Sequence, residues 1–169
     1  MMKNYLIGTN DNPYHFSVGA VVLNNNDEVV CHYFKKAPDG APGEYRDIDN
    51  VYLLMRETPE PGEAPEETLR RGLLEEFGVV GETLGFLGAQ QGIFKGDNTV
   101  INKTTIYFLV RLLDMDISKR DKQDAEGESE IVFLPMDVCI ERMEDQWNRL
   151  HLETLNEAEI IRRAAEYLK

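Results

Sequence analysis

The sequence predicts a mixed α/β or α+β sandwich, with helices packed on a sheet. Runs rich in β-branched and aromatic residues share the chain with amphipathic helical patterns, without strict alternation of the two. The 169 residues suit one domain with its own core, and no internal repeat or linker divides them. We therefore expect a single domain over residues 1–169, with about the first 13 residues and a C-terminal helix at 156–169 as extensions.

The first third of the chain predicts strands joined by a turn and a long loop. Residues 14–24 read YHFSVGAVVLN, and NNND supplies turn residues before EVVCHYF, so a hairpin is expected here. Residues 35–50 are rich in Pro and Gly without periodicity and predict a loop, which leads into the strand VYLLMR at 51–56. Loops of this length are often functional.

A helix is predicted from about residue 65 to residue 77. Pro65 suits its first turn, and Gly78 suits the position after its last one. A buried stripe is expected at helical spacing, formed by Leu69, Leu73 and Phe77. Gly72 does not fit this pattern, since a glycine inside a helix costs roughly 1 kcal/mol relative to alanine.

The second half of the chain predicts three strands and one or two helices. Strand-like runs occupy residues 83–94 and 104–114, and the charged segment 118–129 is expected to be a mobile loop. EIVFLP then predicts a short strand, with a possible helix over DVCIERM. The last 14 residues have an apolar face at helical spacing and predict a helix packed on the sheet.

Composition and charge narrow the choice of partners. The net charge is −13, with 31 acidic and 18 basic residues, which argues against nucleic acid as a partner. A small phosphorylated substrate stays possible if a divalent cation lies between its phosphates and protein carboxylates. The apolar runs are too short to cross a membrane.

The cytoplasm is the expected location. The N-terminus has no apolar segment typical of a secretory signal. Cys31 and Cys139 lie in apolar contexts without metal-like spacing, so buried thiols are expected. His15, His32 and His151 are scattered and form no metal set by spacing. A homodimer is possible, but nothing in the sequence decides it.

The predicted helix places positions 72, 75 and 76 close together, because residues three and four apart share a helix face. Carboxylates at all three would repel one another unless a hard cation such as Mg²⁺ lay among them. The sequence supplies only two, Glu75 and Glu76.

The segment PEPGEAPEETLRRGLLEEFGVVGE at 59–82 resembles the signature of the Nudix hydrolase family, G-x5-E-x7-R-E-U-x-E-E-x-G-U, where U is aliphatic. Two positions depart from it: Glu57 stands at the leading glycine, and Gly72 stands at the glutamate after the arginine. The positions that match are Glu63, Arg71, Leu73, Glu75, Glu76, Gly78 and Val79. SVGAVVL and ESEIVFLPMDV also resemble strands of the family.

The resemblance implies an α/β/α sandwich around a mixed sheet. It also implies hydrolysis of a diphosphate linkage in a small nucleotide-like substrate by water that Mg²⁺ or Mn²⁺ activates. Carried over position by position, Glu75 and Glu76 would bind the metal, with Glu76 part of the catalytic group. Glu63 and Arg71 would form the ion pair that holds the loop against the helix.

Gly72 leaves the usual site of a further ligand, and in some members of the general base, without a carboxylate. Glu128 and Glu130 are candidates for that catalytic role, and Glu57 and Glu60 could also lean in to replace the missing group. Lys103 resembles a lysine that contacts phosphate in some relatives. Two alternatives therefore stay open: an impaired Nudix module that binds a nucleotide or a protein partner, and an interaction protein without a nucleotide site.

Overall fold

The computed structural model describes residues 4–36, 48–96, 98–123, 125–150 and 156–169. Within these described residues, seven strands and three α-helices follow one another. They are β1 (Tyr14–Leu23), β2 (Glu28–Lys36), β3 (Asp49–Leu53), β4 (Met55–Glu57), α1 (Pro65–Gly72), β5 (Val79–Gly96), β6 (Thr99–Met115), β7 (Glu130–Pro135), α2 (Met136–Leu150) and α3 (Glu157–Tyr167). A π-helical turn, Leu73–Phe77, directly continues α1, and short 3-10 turns occupy Ile117–Lys119 and Ala125–Glu128. Most of the long loop expected at 35–50 lies outside the described residues.

All seven strands belong to one mixed sheet in the order β3-β2-β1-β6-β5, with β4 also paired to β1 and β7 to β2. The central pair, β1 and β6, is parallel, and the other pairs are antiparallel. β5 and β6 form a hairpin longer than the two strands predicted from the sequence.

The hairpin predicted between β1 and β2 is present only at its turn. Leu23 lies opposite Val29, and beyond this pair the strands separate. β4 takes the place beside β1, where Ala20 lies opposite Met55. β2 pairs instead with β7 and β3. Long-range pairing therefore overrides the local hairpin pattern.

Helices cover both faces of the sheet, which gives the predicted sandwich. Successive residues of β1 point to opposite faces. Val18, Ala20 and Val22 pack against Leu69 of α1 and its π-helical turn. On the other face, a second core joins β1 to α2 and α3. Cys31 and Cys139 are buried free thiols in this second core, as predicted.

The C-terminal helix α3 contributes directly to that second core. Ile160, Ile161 and Ala164 are fully buried. Buried Glu157 accepts hydrogen bonds from the amide of Leu54 at 3.0 Å and from the hydroxyl of Tyr107 at 3.1 Å.

No helix in the described part of the chain is long and apolar enough to cross a membrane.

The predicted helix over 65–77 is present, but its last turn is π-helical. Gly78 ends it with φ of 67°, a left-handed conformation that glycine adopts without strain. A Cβ atom at this position would collide with the carbonyl oxygen of Asp116. The helix therefore ends where the sequence predicts, and its wider final turn carries Glu75 and Glu76.

Candidate active site

Arg71 lies at the centre of a group of acidic residues. Its guanidinium makes a two-pronged ion pair with Glu63, with Nε–Oε1 at 2.9 Å and Nη2–Oε2 at 2.8 Å. Nη2 also donates to the carbonyl of Thr58 at 2.9 Å. The paired guanidinium lowers the pKa of Glu63 to about 2. These contacts join the loop before the helix to the helix itself.

Two further carboxylates meet on the remaining nitrogen of that guanidinium. Nη1 of Arg71 lies 3.2 Å from Oε2 of Glu75 and 3.3 Å from Oε2 of Glu57. Glu57 is the last residue of β4, whereas Glu75 lies in the π-helical turn. One positive group therefore draws together carboxylates from a strand and a helix.

The position of Glu57 explains why residue 72 has no side chain. A Cβ atom built on Gly72 would lie 2.7 Å from Cβ of Glu57 and 2.9 Å from Sδ of Met55, both too close for real contacts. Any larger residue would require the backbone or Glu57 to move. Burial raises the pKa of Glu57, although the amide of Thr58 and the guanidinium of Arg71 oppose the shift.

A chain of hydrogen bonds reaches Glu76 from the opposite side. Nε2 of His32 lies 2.7 Å from Oε2 of Glu76, and Nδ1 of His32 lies 2.7 Å from Oγ of Ser129. Nη2 of Arg120 donates to the same Ser129 hydroxyl at 2.9 Å. Arg120 also donates from Nε to the backbone carbonyl of Glu76 at 2.6 Å.

The direction of this chain follows from its two ends. Burial, with help from Arg120 and Arg56, lowers the pKa of His32 to about 3, so its imidazole is neutral near pH 7. Arginine can only donate, so Ser129 accepts from Arg120; a carboxylate can only accept, so the imidazole proton faces Glu76 and Nδ1 accepts the hydroxyl proton of Ser129. The remaining imidazole proton is on Nε2 and is donated to Glu76. His32 thus fixes the orientation of a carboxylate whose side chain is only 11% exposed.

Glu128 and Glu130 lie on either side of Ser129 in the sequence, but they differ from it in burial. Ser129 is buried and faces His32, whereas both glutamates are exposed. Their assignment as catalytic groups stays a prediction.

Lys103 does not share a sheet face with α1. It lies on the face of β6 that carries Thr105 and Tyr107, and Tyr107 belongs to the core under α2 and α3. Lys103 lines a pocket of about 430 Å³ together with Tyr14, Gln91, Gly92, Ile93, Asn102 and Thr104. Contact between Lys103 and a phosphate therefore stays a prediction.

The donor chemistry of the site suits a divalent cation. Among the residues that the structure describes, no three acidic, histidine or cysteine side chains already converge as a metal group. Glu57 and Glu75 nevertheless direct oxygens to one positive nitrogen, and Mg²⁺ and Mn²⁺ prefer carboxylate oxygens. Glu75 is also 41% exposed in its side chain and accessible to a ligand.

Sequence reasoning missed the contribution of His32, Ser129 and Arg120. His32 is one of three scattered histidines, and nothing in its neighbourhood along the chain links it to Glu76. Its one signal is a polar ring inside the apolar run EVVCHYF, because a buried polar group needs partners. His151 lies outside the described residues.

Comparison with known proteins agrees with the fold described above. The family model described as NUDIX domain matches residues 13–155. The fold is similar to a NUDIX hydrolase from Nitrosomonas europaea, with a TM-score of 0.62 and 15% identity over 89% of this chain and 88% of that one. It is also similar to a MutT protein from Methanosarcina mazei Go1, with a TM-score of 0.50 and 16% identity over 82% and 94% of the two chains. No curated protein matches this sequence.

Proposed function

Because this chain belongs to the Nudix family, we propose that it is a hydrolase that cleaves a diphosphate linkage in a small nucleotide-like substrate with the help of Mg²⁺ or Mn²⁺. The observation that carries the proposal is the set of glutamates held in place around the helix at 65–77. Arg71 fixes Glu63 and Glu75, and His32 fixes Glu76. A site that binds a cation needs ligands held in fixed positions, and these contacts hold three of the signature glutamates.

The residues divide into those that bind the cation and those that position them. Glu75 and Glu76 would hold the metal, which neutralises phosphate charge and lowers the pKa of bound water when it is present. Arg71 keeps the loop and the helix together through Glu63. Lys103 is proposed as a phosphate contact and Glu128 or Glu130 as the general base, both on family resemblance alone.

A second candidate function is an impaired module that binds a nucleotide or a protein partner without turnover. One observation favours it: Glu75 and Glu76 already have partners in Arg71 and His32. A cation would have to compete with a guanidinium for Glu75.

A homodimer and a cytoplasmic location stay part of the proposal. The location is proposed because Cys31 and Cys139 are free thiols.

Release of phosphate or pyrophosphate tests the leading proposal. The protein is incubated with nucleoside triphosphates, dinucleoside polyphosphates and nucleotide sugars, with and without Mg²⁺ or Mn²⁺. We expect metal-dependent turnover that Glu76→Gln abolishes. Glu66→Gln, an exposed change in the first turn of the same helix, should keep wild-type activity.

The outcomes separate the two candidates. Turnover that persists without metal, or in Glu76→Gln, would rule out the proposed mechanism. An inert protein whose unfolding temperature rises with a nucleotide would favour the binding module, since a ligand stabilises only the state that it binds.

A further inference from the structure

The two positions that depart from the family pattern lie against each other. Glu57 ends strand β4, and Gly72 ends helix α1. In the pattern, glycine stands at the first position and glutamate at the second. Here the two residue types are exchanged, and the sites they occupy are in contact.

Steric contact makes the two departures interdependent. The Cβ atom that any other residue would add at position 72 comes within 2.7 Å of Cβ of Glu57. Cβ is fixed by the backbone, so rotation of the Glu57 side chain cannot relieve this clash. A side chain at 72 and Glu57 in its present place therefore exclude each other.

The carboxylate of Glu57 lies among the acidic side chains around Arg71, the same cluster that a glutamate at position 72 would join. Its Oε2 lies 3.3 Å from Nη1 of Arg71, the atom that also contacts Glu75. Its Oε1 accepts the amide proton of Thr58 at 2.8 Å, which holds the side chain in this direction. Glu60 is the other candidate replacement from the loop, and its side chain is exposed.

We propose that Glu57 supplies, from strand β4, the cation-binding carboxylate that the family pattern places on the helix at position 72. In this proposal the carboxylate serves the same site but comes from a different position in the sequence. The inference rests on the proposed function, because it adds a ligand to the same metal site. With Glu57 included, Glu57, Glu75 and Glu76 provide three carboxylates, the number that the pattern provides on its helix alone.

Direct measurement of Mn²⁺ binding tests this without relying on turnover. Mn²⁺ is titrated into wild-type protein, Glu57→Gln and Glu60→Gln, and free Mn²⁺ is followed by electron paramagnetic resonance. Glu57→Gln keeps the volume and removes the charge, so we expect about 10-fold weaker binding or more. Glu60→Gln should bind like wild type.

An exchange experiment tests the spatial argument. Gly72→Glu alone should lower the unfolding temperature by on the order of 5 °C, because it overpacks the contact with Glu57 and Met55. Glu57→Gly alone should weaken Mn²⁺ binding as Glu57→Gln does. The double variant should recover Mn²⁺ affinity. Its unfolding temperature should be higher than the value obtained by adding the shifts of the two single variants to the wild-type temperature.

Three results would overturn the inference. The first is that Glu57→Gln binds Mn²⁺ as tightly as wild type, and the second is that Glu60→Gln loses Mn²⁺ affinity instead. The third is that the two single changes have additive effects on Mn²⁺ affinity and unfolding temperature in the double variant. Each leaves the proposed function intact if the wild-type protein still binds Mn²⁺ and hydrolyses its substrate with it. A wild-type protein that binds no Mn²⁺ overturns both proposals.

Discussion

Nε2 of His32 lies 2.7 Å from Oε2 of Glu76, and the imidazole that makes this contact is fully buried. The ring also packs against Phe77, with centroids 4.5 Å apart. Since Ser129 holds the other ring nitrogen, the imidazole has little freedom to rotate. His32 therefore acts as a positioning residue for Glu76, comparable to the partners that orient metal ligands in other proteins.

Ser129→Ala should disturb this chain without touching Glu76. The change removes one hydrogen-bond partner of Nη2 of Arg120 and the hydroxyl that contacts Nδ1 of His32, which leaves that buried ring nitrogen without this hydrogen bond. We expect a loss of about 1–3 kcal/mol in unfolding free energy, together with weaker Mn²⁺ binding. Urea denaturation and Mn²⁺ titration measure the two effects.

Ser118→Ala is the matched control for that variant. Ser118 is exposed, and its hydroxyl donates to the carboxylate of Asp116 nearby in the chain. Its removal should change stability by less than about 0.5 kcal/mol and leave Mn²⁺ affinity unchanged. Equal effects of the two serine variants would show that the buried chain has no special role.

Arg71→Lys should destabilise the protein although it keeps the positive charge. Lysine cannot make the two-pronged contact with Glu63 and at the same time reach Thr58, Glu57 and Glu75. We expect a loss of about 2 kcal/mol or more in unfolding free energy, measured by urea denaturation. Arg70→Lys, an exposed change next to it on the same helix, should alter stability by less than about 0.5 kcal/mol.

Stability should fall in mild acid because of His15. Burial, and the positive charges of Lys103 and Arg56, lower the pKa of His15 from 6.5 to about 4. The fold thus favours the neutral ring, and the unfolded chain binds the proton first. The contribution of His15 to the free energy of unfolding is fully present above pH 6.5. It decreases as the pH drops from 6.5 to about 4 and does not decrease further below that pH.

Comparison of variants isolates this contribution from other titrating groups. His15→Gln should lose less unfolding free energy than wild type between pH 7 and pH 4.5. Lys103→Gln removes one of the charges that lower the pKa and should also reduce the loss. Identical pH dependence in the wild type and His15→Gln would contradict the prediction.

The signature helix could be predicted because its signals are local. Leu69, Leu73 and Phe77 repeat at helical spacing, and Gly78 marks the end. The π-helical last turn has no comparable signal in the sequence. The sequence pattern predicts an ordinary α-helical turn at these residues.

The sequence makes Glu57 one of several candidates to replace the missing carboxylate, but its contact with Gly72 could not be predicted from the residues alone. The sequence shows two departures from a pattern but contains no local signal that links them. Only the pairing of β4 with β1, which places Met55 and Glu57 under the end of α1, shows that one departure makes room for the other. The hydrogen bonds that connect Arg120, Ser129 and His32 could not be predicted for the same reason, because these residues come from separate elements.

Glu157 should anchor the C-terminal helix in the core. Its carboxylate accepts from the amide of Leu54 and the hydroxyl of Tyr107, and its Oε1 lies 3.4 Å from Nε of Arg56. Glu157→Gln keeps the shape but replaces one acceptor oxygen with a donor group, so one of these buried donors loses its partner. We expect a loss of about 1–3 kcal/mol in the free energy of unfolding, measured by urea denaturation.

Glu159→Gln provides the comparison on the same helix. Glu159 contacts Arg162 and Arg163 at 3.9 and 3.7 Å, and its side chain is 47% exposed. Exposed ion pairs of this kind contribute less than about 1 kcal/mol, so the change should have little effect. If both variants unfold at the same urea concentration as wild type, the buried carboxylate does not hold α3, and the apolar packing of Ile160, Ile161 and Ala164 with the other contacts of the helix is sufficient.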